Sequence, residues 1–136
     1  MNKILSVIVG LLGVLFLGTG LRWLIDPTAA AAALGMPLLD GIGRSTQIGD
    51  LTAFFLTLGT VILIALFSSQ RTWYYPACML LGIAAMGRVL AWAAHDAAFA
   101  LELVAAEIII AGFLLFASRS EAIGQHCPIA FPLASY

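Results

Sequence analysis

Charge is scarce in this chain: six Lys or Arg and seven Asp or Glu stand among 136 residues, 10% of the total. Soluble domains carry about 25%. The formal net charge is −1 and the cations form neither a block nor a stripe, which argues against nucleic acid as a partner. Cysteine is almost as rare. Cys78 lies in an apolar stretch, Cys127 lies near the C-terminus, and no C-x-x-C or Cys/His spacing occurs. A disulfide framework, a redox dithiol and a zinc site are therefore not expected. The two histidines, His95 and His126, are too few for a haem or a multi-His centre. No Ser-His-Asp order, phosphate-binding loop or dinucleotide glycine pattern is present. Neither a metal nor a cofactor is expected.

Apolar residues fill the gap, at 62% of the chain, against roughly 45–50% in soluble proteins. One small core cannot hide that much apolar surface from water, so lipid is the expected solvent. Four apolar runs stand out, at about 4–25, 48–67, 73–94 and 97–117. Each approaches the ~20 residues a helix needs to cross the hydrocarbon. The alternation of a membrane barrel strand is missing. The reading is an all-α fold, a transmembrane four-helix bundle over 1–119 with a C-terminal tail at 120–136. The first run is taken as a retained transmembrane helix rather than a cleaved signal.

Between the first two runs lies a long connection, Pro27 to Thr46. Its alanine run (Ala29 to Leu34), followed by Gly35, Pro37, Gly41 and Gly43, predicts a short helical or re-entrant segment on the membrane face. The other two connections look hairpin-tight, at Ser69 to Thr72 and at His95-Asp96. With four crossings both termini share a side. That side carries Lys3, Arg71 and Arg119; the other carries Asp26, Asp40, Arg44, Asp50, His95 and Asp96, with Arg22 at its edge. The positive-inside rule then makes the termini cytoplasmic and the long loop external, with a bacterial inner membrane as the expected location.

The few charges inside the spans share one layer. Counted at 1.5 Å per residue, Arg22, Asp50, Arg88 and Glu102 fall at similar depths in four different spans, with Glu107 deeper. A charge in the bilayer centre costs about 2.5–3.5 kcal/mol on insertion scales, so it persists where it is paired, wetted or used. On the third span Arg88, Trp92 and His95 share a face. The expectation is an outward-opening polar funnel, lined by Arg22, Gln47, Asp50, Arg88, Trp92, His95 and Glu102. Glu102 and Glu107 are five apart and point about 140° from each other, so both cannot face one pocket. Glu102 is assigned to Arg88, and Glu107 is left as a buried charge of undefined role. A register-fixing salt-bridge network, a ligand or ion site, and a subunit contact all fit such a cluster. Trp92 also fits an interfacial anchor, and His95-Asp96 a solvated turn. Gly10, Gly13, Gly20, Gly59, Gly82 and Gly87 are expected where helices approach closely.

The layout resembles a family of small bacterial four-helix membrane proteins of unknown function related to the DoxX-like superfamily. The resemblance rests on Gly20-Leu21-Arg22-Trp23 ahead of Asp26-Pro27, on Leu34-Gly35, on Gly49-Asp50-Leu51-Thr52-Ala53-Phe54-Phe55, on Gly87-Arg88 and on the helix of Glu107. It covers roughly Leu11 to Arg119. It implies a four-helix bundle whose polar residues meet near one membrane face. DoxX-like relatives include oxidoreductase-associated subunits and a receptor-assembly chaperone, which implies an accessory or assembly role. The leading functional expectation is thus a non-enzymatic membrane protein, either an accessory subunit of a larger membrane complex or a binder of a small lipid-like or anionic molecule. Membrane lipid, such a complex and a second copy of the chain are the candidate partners. The alternative is an intramembrane isomerase or hydrolase working through Asp50, Glu102 and His95. Proton or ion conduction through Glu107 ranks last, because the inner half offers little polar path beyond Thr57, Thr60 and Cys78.

Overall fold

The computed structural model describes residues 3–125, and among them there is no strand. Five helices account for nearly all of the chain: α1 (Lys3–Ile25), α2 (Pro27–Ala33), α3 (Gly41–Ser68), α4 (Tyr74–His95) and α5 (Leu101–Gln125). A 3-10 turn, Arg71–Trp73, leads into α4. Four of the helices are long and apolar enough to cross a membrane. At most 28% of any crossing window is buried inside the chain, and large side chains such as Ile42 and Phe67 are more than four-fifths exposed. Such a surface suits hydrocarbon, where the helical ladder satisfies the backbone internally. The chain is a multi-pass membrane protein built as an all-α four-helix bundle with one short extra helix.

Boundaries follow local chemistry. Pro27 supplies no N–H and opens α2 at its first position, while the Asp26 carboxylate accepts from Ala29 N at 3.1 Å as its N-cap. Gly35 and Gly41, at φ +68° and +57°, carry the chain from α2 into α3. The second crossing therefore begins about two turns earlier than its apolar run suggests, because the Gly41–Gln47 stretch is helical although polar. At the far end, Asp96 takes a left-handed φ of 57° and closes α4, and α5 does not start until Leu101. The connection expected to be hairpin-tight is thus a non-helical stretch over 96–100. Helix α5 continues to Gln125, into the expected tail; the remainder of that tail, 126–136, lies outside the described residues.

The most extensive contact in the bundle is between α1 and α3, followed by α4 with α5; α3 joins α4, and α1 touches α5 only lightly. Glycines set the first of these. A β-carbon on Gly10 would meet Leu66, one on Gly13 would meet Leu63, and one on Gly20 would meet Leu56. On Gly59 it would stand 2.7 Å from both the Gly13 oxygen and the Leu17 nitrogen. These pairs advance in step along an antiparallel interface, so the two backbones meet at van der Waals distance. Gly82 and Gly87 behave differently. Both are exposed and a β-carbon on either meets nothing within 4 Å, so the expectation of close packing fails there: α4 turns that face away from its neighbours in the chain.

The core has two parts. Val9, Leu58, Ile62, Tyr74, Leu81 and Leu114 anchor the larger one, which joins the four crossings. The smaller one gathers Trp23, Ala30 and Ala31 under the α2 segment, with Leu34, Met36 and Leu51 packed against it. Between the two, the helix pairs part.

Candidate functional site

A crevice of about 240 Å³ lies between the α1/α3 pair and the α4/α5 pair. It occupies the half of the bundle toward the α2 segment. Phe16, Phe54 and Phe55 form one wall, with Phe16 stacked on Phe55 at 6.2 Å and Phe54 edge-on to Phe55 at 5.2 Å. Leu103, Ala106 and Ile110 form the opposite wall, and Leu34 and Met36 reach in from the segment after α2. The lining is overwhelmingly apolar. Its exceptions are Thr19, whose hydroxyl donates to Leu15 O at 2.9 Å, and one charged pair.

That pair is Arg88 with Glu107. Arg88 Nε donates to Glu107 Oε1 at 3.0 Å, across the α4/α5 contact. Glu107 is buried, and the Arg88 side chain is 34% exposed. Among the described residues, the Arg88 guanidinium makes no hydrogen bond beyond that from Nε, and Glu107 Oε2 is buried without a partner. The pair is electrically neutral as a unit, which is the form in which charge tolerates a low-dielectric setting. It nonetheless leaves donors and an acceptor unused, and an unused buried acceptor costs about 1–3 kcal/mol.

The sequence assignment of Glu102 to Arg88 is corrected. Because α5 begins at Leu101, Glu102 falls in its first turn, at the rim. Glu107 lies six residues into α5 and Arg88 seven from the end of α4, so each is about 10 Å below the helix ends. They are level; Glu102 is not. Glu102 is exposed and lines a separate hollow of about 550 Å³ with Phe99 and the Ala32–Gly35 segment. The angular separation of the two glutamates is realised, with one inside and one outside.

The other expected funnel residues are spread over the same half of the molecule. Arg22 and Asp50 are exposed, and neither has an ion-pair or hydrogen-bond partner among the described residues. His95 is exposed in the last turn of α4. Trp92 is exposed too, its ring 5.2 Å from that of Phe99. None of the four lines the crevice. Asp50, Glu102 and His95 are joined by no hydrogen bond among the described residues and do not share the crevice. The expected polar funnel is an apolar crevice with a single ion pair, because Arg22 and Glu102 lie in terminal turns, where side chains can reach water, and Asp50 is exposed and does not line the crevice.

Gln47 has a role that its place in the sequence does not signal. Its Oε1 accepts from Leu39 N at 3.0 Å, and its Nε2 donates to Pro37 O and to Met36 Sδ, each at 3.1 Å. One turn earlier, Arg44 Nε donates to Leu39 O at 2.8 Å, and its Nη2 pairs with Asp40 at 2.7 Å. The first turns of α3 thus clamp the segment that carries Met36 onto the crevice. Cys78 packs between α4 and α5, its Sγ 3.5 Å from Ala111 O. Among the described residues no group of His, Cys, Asp and Glu could hold a metal. Compared with protein-family models, characterised proteins and solved structures, the chain shows no match.

Proposed function

We propose that this protein binds a small lipid-like molecule in the crevice, as a non-enzymatic component of a bacterial inner membrane, with its termini cytoplasmic and the crevice in the outer half. The observation that carries the reading is Glu107 Oε2, a buried and unpartnered carboxylate oxygen beside spare Arg88 donors on the wall of an apolar cavity. Ligand sites are typically apolar hollows with a few convergent polar groups, and ionisable residues inside membranes are functional candidates by default. Size is a second support. A cavity of 150 Å³ lined by apolar side chains accepts benzene, so 240 Å³ suits a molecule of roughly ten non-hydrogen atoms or one end of a longer chain.

The kinship suggested by Gly49-Asp50 and Gly87-Arg88 with small DoxX-like four-helix proteins belongs to this proposal. So does an accessory role, as a subunit that helps to assemble a larger membrane complex. The enzymatic alternative draws no support from the placement of Asp50, Glu102 and His95.

The test is native mass spectrometry of the full chain released from mild detergent. A small adduct is expected on the unmodified protein and is lost from Ala106→Trp, which fills the crevice from a wall position. An adduct retained equally by both would place the ligand elsewhere and end this reading.

A further inference from the structure

Arg88 and Glu107 leave a mixed set of hydrogen-bonding groups at the crevice wall. Both residues line the crevice; Arg88 has Nη donors to spare, and Glu107 has an unpartnered acceptor in Oε2, which is itself covered. An anion would satisfy the donors but stand against the Glu107 carboxylate in a low-dielectric site. A cation would satisfy the acceptor but stand against the guanidinium. A hydroxyl group answers both, since it accepts and donates at one oxygen. Apart from Thr19, whose hydroxyl proton is already given to Leu15 O, the surrounding walls, Phe16, Phe54, Leu103 and Ile110, offer nothing polar to a larger headgroup.

Resting on the binding reading above, we propose that the crevice takes a neutral, hydroxyl-bearing amphiphile whose hydroxyl accepts from Arg88 Nη and donates to the Glu107 carboxylate. The rest of the molecule lies along the aromatic wall. Arg88 and Glu107 then act as a matched reader of charge: each excludes the ionic ligand that the other alone would attract. Selectivity belongs to the pair rather than to either residue.

The experiment uses the full chain in maltoside micelles and a diazirine-bearing nonanol as photoprobe, with adducts located by peptide mass spectrometry. Labelling is expected on the crevice segments 51–55 and 103–110. Nonanol should compete at concentrations at least about tenfold lower than nonanoate, nonylamine or octyl methyl ether, the last of which accepts a hydrogen bond but cannot donate one; tenfold is the size of a single hydrogen bond to a charged group. Glu107→Gln leaves the Arg88 charge uncompensated and should invert the order, with nonanoate now the strongest competitor. The exchanged variant Arg88→Glu/Glu107→Arg restores a neutral pair and should return the preference to nonanol, which separates ligand selection from loss of fold. No crevice labelling in the unmodified protein would overturn the binding reading itself. Crevice labelling on which nonanoate or the ether competes as well as nonanol would leave that reading standing and overturn this inference alone.

Discussion

Gly59 faces Gly13 so closely that a β-carbon on Gly59 would stand 2.7 Å from the Gly13 carbonyl oxygen. That contact is backbone against backbone, so no side chain can rotate to make room. Gly59→Ala must push α1 and α3 apart, at a cost of about 1–3 kcal/mol for an overpacked interface, and Gly59→Leu should prevent the pair from forming. Gly82→Ala is the control: its β-carbon meets nothing, and helix propensity favours alanine by up to about 1 kcal/mol. Unfolding by titration with dodecyl sulfate should rank the proteins Gly82→Ala at or above the unmodified chain, then Gly59→Ala, with Gly59→Leu lowest. Equal loss at the two positions would mean that α1 and α3 do not meet in the Gly13–Gly59 register.

Arg88 and Glu107 should be coupled in a double-mutant cycle. Exposed pairs contribute at most about 1 kcal/mol, and breaking a fully buried pair costs about 3–5 kcal/mol. Here Glu107 is buried and Arg88 partly exposed, so either Arg88→Met or Glu107→Met alone is expected to cost an intermediate amount, about 1–3 kcal/mol. The double variant should recover most of it, since no charge is then left alone. Additive losses, read from the same unfolding titration, would show that the two side chains do not interact.

The sequence made the membrane-crossing architecture plain because hydropathy and length are properties of the chain itself. The helices expected over 4–25 and 73–94 agree with α1 and α4 to within a residue or so. That Arg88 meets a carboxylate of the last crossing was also legible, but the common level assigned to Arg88 and Glu102 was not the one found. What failed was the choice of partner, and the cause was a boundary. Residues 97–100 are as apolar as the helix that follows them, so nothing in composition marks the start of α5 at Leu101. A four-residue shift moves Glu102 to the rim and brings Glu107 level with Arg88. The clamp made by Gln47 was illegible for a different reason. A glutamine that folds back onto an irregular loop leaves no periodic signal. The outward turn of Gly82 and Gly87 likewise depends on helix rotation, which small residues do not fix.

Gln47 should matter more than its polarity suggests. It answers the Leu39 N–H and the Pro37 carbonyl, two backbone groups that no helix satisfies. Removing it by Gln47→Ala should cost about 1–2 kcal/mol and release the segment that holds Met36 over the crevice. Hydrogen exchange would report this directly: amides between Met36 and Gly41 should exchange faster, while those of α1 and α5 stay unchanged. Uniform acceleration through the bundle would show global destabilisation instead, and no acceleration would show that Arg44 holds the segment unaided.

The orientation can be decided with two single-cysteine reporters in a background where Cys78 and Cys127 are replaced by alanine. Ser45 is exposed near the start of α3, and Arg71 is exposed between α3 and α4, so one crossing separates them. Of the cations outside the crevice, Lys3, Arg71 and Arg119 lie toward one side and Arg22 and Arg44 toward the other, and orientation follows the side richer in Lys and Arg. The bias is small, but its effect is amplified because Lys3 precedes the first crossing, which usually sets the topology. An impermeant maleimide should therefore label Ser45→Cys in intact spheroplasts and reach Arg71→Cys only after permeabilisation. The reverse pattern would turn the molecule over and place the crevice in the inner leaflet. The Arg88–Glu107 contact would survive that result, since it depends only on helix packing, but the molecule held there would then be drawn from the cytoplasmic face of the membrane.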